Sequence, residues 1–147
     1  MKVVLQRVKE AYVTVEKKIV GKIKRGVCLL VGIEQADSEE DARYLTNKIV
    51  ELRIFPDKDR KMNLSLLDIK GEVLVISQFT LAGSVKKGRR PSFDKAETPE
   101  KAERLFDYFV RLIRERGITV ETGLFRMLMD VHLINEGPVT FILETKK

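Results

Sequence analysis

The sequence has one cysteine, one histidine and no tryptophan. A lone cysteine cannot make an internal disulfide, which fits a reducing compartment. With one thiol and one imidazole, no zinc cluster can be built from these ligands, and a Cys–His pair could come only from Cys28 and His132. The motifs GxxxxGK[ST], GxGxxG and GxSxG are also missing, so the phosphate loop, the dinucleotide fingerprint and the nucleophile elbow are excluded. No apolar run approaches the roughly 20 residues that span a bilayer. The opening "MKVVLQRVKEAYVTVEKK" carries charges where a signal core would be apolar. A cytoplasmic protein without cofactor, metal or membrane association is expected.

The 147 residues suit one domain, residues 1–147, long enough to bury about two-thirds of the surface of the unfolded chain. A 44% hydrophobic share beside 34% charged residues is ordinary for a globular protein. Twenty-eight basic against 22 acidic residues leave a net charge of +6. That excess favours a polyanionic partner without specifying one.

Periodicity places short β-rich runs at "VVLQRV" and "AYVTVE", then two more strands through "IVGKIKRGVCLLVGI", together an antiparallel meander. From Ser38 the spacing becomes helical: Ala42, Leu45, Ile49 and Leu52 follow a serine N-cap and the acidic turn Glu39, Glu40, Asp41, which predicts a helix over roughly 38–52. "EVLVIS" reads as a buried strand. A second helix starts at Thr98 with Pro99 in its first position and stops at Gly117. "ITVETG", "MLMDVHLIN" and "VTFILET" supply further strands, with "NEGP" as the turn between the last two. Strands, helix, strand, helix, strands is the order of an α+β domain.

With no standard catalytic set available, the chemistry must rest on hydroxyls, backbone amides or the substrate itself. Cys28 lies in "VCLLV" and reads as a buried thiol; His132 alternates with Val131 and Leu133 and reads as a surface histidine. Three segments hold polar groups that a plain fold would not need. "SQFTLAG" gathers Ser77, Gln78 and Thr80 around Phe79 at the end of the buried strand, where sites are often built. "SVKKGRRPSFDK" sets Lys86, Lys87, Arg89, Arg90 and Lys95 around Gly88, Pro91 and Phe93, a loop suited to gripping phosphate. "NEGPVT" puts Pro138, which has no N–H for a ladder, directly against a strand.

Taken together, "SQFTL", "KGRRPSF" and "NEGPVT", with "MKVVLQRV", "KMNLSLLDI" and "TGLF", closely resemble the D-aminoacyl-tRNA deacylase family, in order and through nearly the whole chain. The resemblance implies a barrel-like, mostly antiparallel sheet with two main helices. It also implies a homodimer that hydrolyses the ester between a D-amino acid, or mischarged glycine, and the terminal adenosine of tRNA. The signature motifs fall on Ser77, Gln78, Phe79 and Thr80 and on Asn135, Glu136, Gly137, Pro138, Val139 and Thr140. In the family the Gly-Pro peptide is cis and enters the partner's active site. Phe125, Met129 and Asn135 are carried over to substrate and tRNA binding, beside the cations of the basic loop. Where the family often has Phe-Gly-Ala or Phe-Ala-Ala, this chain has Phe125, Arg126 and Met127.

Physical reasoning supports such a design. D- and L-esters differ only in arrangement about one carbon, and apolar contacts discriminate by only about 1–3 kcal/mol per methylene, so rejection calls for a built-in clash. Glycine lets a main chain come close to a ligand and proline fixes φ, so Gly137-Pro138 can set main-chain carbonyls as a rigid wall. For hydrolysis, amides near Phe79 and Thr80 are candidate oxyanion donors, each worth about 3 kcal/mol. Thr80 is the obvious nucleophile, yet no base adjoins it in sequence and a free hydroxyl is a poor one. Assistance from the 2′-hydroxyl of the terminal adenosine is therefore favoured. The competing reading is a non-catalytic basic RNA-binding module, which normally interleaves exposed aromatics with cations. Aromatics at 7% argue against it.

Overall fold

A computed structural model describes residues 1–145. In chain order the elements are β1 (Lys2–Val15), β2 (Lys18–Ile23), β3 (Gly26–Gly32), α1 (Glu39–Glu51), β4 (Phe55–Pro56), β5 (Met62–Leu64), α2 (Leu66–Ile69), β6 (Glu72–Ser77), a 3₁₀ turn (Phe79–Ala82), α3 (Pro99–Glu115), β7 (Val120–Thr122) and β8 (Asp130–Glu144).

Two pairs of expected strands are each a single strand. "VVLQRV" and "AYVTVE" merge into β1, and the last two runs merge into β8, which passes straight through "NEGP" without turning. The ladder absorbs the interruption by slipping register. Val8 faces Asn135 and Gln6 faces Thr140, so residues 136–139 oppose Arg7 alone. An enlarged bulge of this kind lets a strand carry residues that the ladder cannot pair.

The antiparallel meander is present: β1 pairs with β2 from Val15↔Lys18 to Ala11↔Ile23, then with β3 from Val8↔Gly26 to Lys2↔Gly32. β6 and β7 extend the sheet in parallel, Val31↔Ser77 and Val75↔Thr122 being the last pairs. Parallel neighbours need a long crossover, and α1 and α3 occupy those two connections. The sheet curls until β2 touches β7, giving a nearly closed barrel with the helices against one side.

Burial divides into two layers. Val3, Leu5, Val27, Leu29 and Val31 face α1 and α3 through Leu45, Ile49, Phe109 and Ile113. Val8, Ala11, Val13, Ile23, Cys28, Leu74 and Ile76 fill the curl of the sheet itself. β3 and β6 are thus buried on both faces, which explains their continuous apolar runs. The helices begin where the capping residues indicate. Ser38 and Asp41 bond reciprocally at α1, with Asp41 Oδ2 accepting the Ser38 N–H at 2.8 Å. Pro99 opens α3, and Gly117 follows it at φ +80°. Among the described residues no helix is long and apolar enough to cross a membrane.

β8 is the exception to this burial. Along all 15 residues only Val139 is buried, and Val131, Ile134, Phe141 and Ile142 stand exposed.

Candidate active site

Where β6 ends at Ser77, the chain leaves the sheet between two parallel crossovers, and such carboxyl ends are where α/β sheets form crevices. A cleft of about 530 Å³ opens there. Ser77, Gln78 and Phe79 line it together with Phe125, Met129, Glu97 and the start of α3, and the Phe125 ring leans on Phe106 of α3 at 5.9 Å. Five of the residues singled out in the sequence therefore meet in one cavity.

The floor is a short turn. Gln78 N–H donates to Val31 O at 2.7 Å, which ties the turn to β3. Its own bonds begin with Leu81 N–H to Gln78 O at 3.1 Å and end with Gly83 N–H to Thr80 O at 3.0 Å. In any helical turn the first amides have no partner inside it, and here these are Phe79 and Thr80. Thr80 Oγ1 accepts a hydrogen bond from Gln78 Nε2, so the two side chains brace each other, with Gln78 lining the cleft and Thr80 outside its lining. No imidazole or thiol joins them. His132 stacks on Tyr12 at 4.3 Å with the rings nearly parallel, and Cys28 is fully buried with its thiol pushed up to about 12 by desolvation. The carboxylate lining the cleft, Glu97, accepts the Thr98 N–H at 2.7 Å.

Gly137 and Pro138 are not in this cleft. Val131, on the same strand, lines it, and six residues of extended chain carry Gly137 about 20 Å further on. The Gly137-Pro138 peptide is cis and both residues are exposed. What holds them is a tether on either side. Asn135 Nδ2 donates to Val139 O at 3.2 Å and Thr140 Oγ1 at 3.1 Å, while its Oδ1 accepts the Val139 N–H at 2.6 Å. Arg7, 8% exposed, donates from Nε to Glu136 O at 2.9 Å and from Nη1 to Ile54 O at 2.6 Å. The Glu136 carboxylate faces Arg7 at 3.4 Å and Arg25 at 3.6 Å. Gly137 sits at φ +145°, and a Cβ there would stand 2.6 Å from Val139 Cγ2, so only glycine fits.

None of Lys86, Lys87, Arg89 and Arg90 lines the cleft. Lys86, Lys87, Arg89 and Arg90 are all exposed, on a loop closed at its base by Ser84 N–H to Ser92 O at 2.7 Å and Ser92 N–H to Ser84 O at 2.9 Å.

Two residues, Arg7 and Glu97, escaped the sequence reading, and a third, Arg126, is named there without a role. Arg7 shares strand parity with the buried Val3 and Leu5, so an arginine on the inward face was the available signal. Glu97 precedes a helix start that reads only as capping. Arg126, at the position where the resembled family often has a small residue, lines the cleft and reaches Glu100 at 3.8 Å.

Residues 4–144 match the family model described as D-Tyr-tRNA(Tyr) deacylase. The chain is 58% identical over 147 residues to the D-aminoacyl-tRNA deacylase of Geotalea uraniireducens, spanning all of this chain and 95% of that one. It is also 58% identical over 146 residues to the protein of the same name from Bacillus cytotoxicus, covering 99% and 100%. Among solved structures, the c-Myc DNA Unwinding Element Binding Protein superposes with a TM-score of 0.94 at 39% identity over the full length of both chains. A probable eukaryotic D-amino acid tRNA deacylase has the same fold, with a TM-score of 0.84 at 21% identity over 97% of each chain.

Proposed function

We infer, from the premise that this chain belongs to the D-Tyr-tRNA(Tyr) deacylase family, how its residues divide the work of hydrolysing D-aminoacyl-tRNA. The terminal adenosine and its ester occupy the cleft at the end of β6, among Phe125, Met129 and the turn that follows Ser77. Water adds to the ester carbonyl carbon. The oxyanion so formed is met by the N–H groups of Phe79 and Thr80, and collapse breaks the bond to the 3′-oxygen, which takes the proton to leave a tRNA hydroxyl and a free amino acid. Gln78 and Thr80 brace the site, and the adenosine 2′-hydroxyl orients the water. One observation supports this reading: the first two amides of the turn, Phe79 and Thr80, have no partner within it, and Phe79 lines a cleft that also holds the Ser77 hydroxyl and the Gln78 amide but neither imidazole nor thiol. Glycyl-tRNA, whose acyl group has no side chain to collide with anything, is a second substrate of the same site. Lys86, Lys87, Arg89 and Arg90 grip tRNA phosphates, and Asn135 serves the substrate indirectly by holding the Gly-Pro segment.

Selection between isomers falls to Gly137 and Pro138, whose carbonyls receive the substrate amino group and leave no room for an L side chain. Because they stand about 20 Å along β8 from their own cleft, they act on the cleft of a second copy. A homodimer follows. It is supported by β8, whose exposed Val131, Ile134, Phe141 and Ile142 form an apolar strip of the kind that marks interfaces. The test is incubation with D-Tyr-tRNA and L-Tyr-tRNA, followed by measurement of released amino acid. Release from the D-ester alone is expected. Hydrolysis of both would remove the gate, and binding without hydrolysis would return the chain to a non-catalytic RNA-binding module.

A further inference from the structure

Between the catalytic turn and α3, the basic loop is bracketed by two residues that touch each other. Gly83 closes the turn and leads into Ser84; Phe93 follows Ser92. The Ser84–Ser92 pair of backbone hydrogen bonds makes residues 84–92 a closed body, so displacing that loop moves Gly83 and Phe93 together. Downstream the chain is fixed again, because Gln35 Nε2 donates to Asp94 O at 3.0 Å and Gln35 N–H to Lys95 O at 2.9 Å. Phe93 is thus the joint between a tethered segment and a loop carrying four cations.

The ring of Phe93 is wedged against both ends of the turn. It meets the Phe79 ring at 5.1 Å between centroids, tilted by 53°. At the other end it lies on Gly83, where an added Cβ would stand 2.8 Å from Phe93 Cε1 and 2.9 Å from Thr80 O. Phe79 is otherwise 60% exposed and the turn is only four residues long. The base of the turn is anchored by the Gln78 N–H on Val31 O and by the buried Ala82, while the exposed Phe79 at its start leans on the Phe93 ring.

We propose that Phe93 is a positioning residue that couples the basic loop to the catalytic turn, so that phosphate held by Lys86, Lys87, Arg89 and Arg90 sets the orientation of the Phe79 and Thr80 amides. The proposal rests on the reading of that turn as the oxyanion site and goes beyond it by making the rate depend on the tRNA body. Misplacement of catalytic groups by about 1 Å can cost on the order of a hundredfold in rate. A loop outside the cleft lining can therefore govern kcat through one ring.

The experiment compares full-length D-Tyr-tRNA with the 3′-D-tyrosyl ester of adenosine, which cannot reach the loop, using wild type, Phe93→Ala and Phe93→Leu. On tRNA, Phe93→Ala should lower kcat by about 10- to 100-fold with KM changed less than about threefold, and Phe93→Leu should recover part of the loss. On the short ester, wild type should already be slow and Phe93→Ala should add little. Hydrogen exchange of residues 79–83 should slow when uncharged tRNA binds wild type and stay unchanged when it binds Phe93→Ala, while exchange in β6 reports that both remain folded. A rise in KM with unaltered kcat, or an equal loss on both substrates, overturns the coupling. Failure of the underlying function looks different, since wild type would then release no D-tyrosine at all.

Discussion

The two segments that carry the proposed chemistry are held in opposite ways. The turn at Phe79–Ala82 is four residues long, exposed at Phe79 and Thr80, and fixed by backbone bonds, the buried Ala82 and one aromatic contact. Residues 136–139 bulge from a long strand, yet a buried arginine and an asparagine tie them down on both sides. The contrast follows from what each must do. Oxyanion donors need only point correctly when substrate is bound, and substrate can help place them. A wall that rejects an isomer has no such help, because it must not yield to the wrong ligand; rejection by clash is worth no more than the stiffness of the wall.

The largest effect is expected at Arg7. Its guanidinium lies under Glu136 and spans from β1 to the Ile54 carbonyl, so Arg7→Ala leaves the Glu136 and Ile54 carbonyls without this donor and removes one of the two cations that face the Glu136 carboxylate. Breaking a largely buried pair costs about 3 kcal/mol or more. The melting temperature should fall by several degrees. More telling, the ratio of D- to L-Tyr-tRNA hydrolysis should collapse while the turn, far along the sheet, keeps its rate on the D-ester. A variant that loses rate on the D-ester but keeps its preference would show that the two regions are not separate devices.

Next comes the loop. Arg89→Gln with Arg90→Gln removes two exposed cations, and if both meet phosphates the slope of log affinity for tRNA against log salt should shrink by about 1 to 2. An unchanged slope would leave the loop a solvated surface. Discrimination between isomers should not move in either case, since neither arginine adjoins Gly137.

How much of this could be read from the sequence varied with the range of the interaction. The α3 boundaries, the capped start of α1 and the strand "EVLVIS" depend on near neighbours and came through. The continuity of β1 and β8 did not, because Lys9-Glu10 and "NEGP" look like breaks, and only pairing with a distant strand decides that the chain runs on. The parallel pairing of β6 and β7 was implicit in the strand–helix–strand order, though the sheet was expected to be mostly antiparallel. At the site, Ser77, Gln78, Phe79, Phe125 and Met129 do share a cavity, while Gly137 and Pro138 lie well away from it. No spacing along the chain contains that separation; it is set by the length of β8 and the curl of the barrel. Asn135 shows the same limit, since an amide fit to bind a ligand is fit to close a bulge, and its three bonds go to the bulge.

The smallest expected effect, and the one that bears most on mechanism, is at Thr80. Its hydroxyl accepts from Gln78 Nε2, the cleft holds no imidazole, thiolate or amine to take its proton, and the Glu97 carboxylate in the lining bonds the Thr98 N–H and not Thr80, so the hydroxyl is poorly placed to attack an ester. Its backbone N–H is a different matter, and no side-chain substitution removes that. Thr80→Ala should therefore retain the single-turnover rate on D-Tyr-tRNA to within about tenfold, the cost of losing one brace on Gln78. Replacing the 2′-hydroxyl of the terminal adenosine by hydrogen should cost far more, on the order of 10²–10⁴-fold if it orients the attacking water. A loss of about 10⁴-fold in Thr80→Ala, with trapping of an acyl group on the wild-type chain, would instead make the threonine a nucleophile. The turn would then need the rigidity found at present only around Gly137.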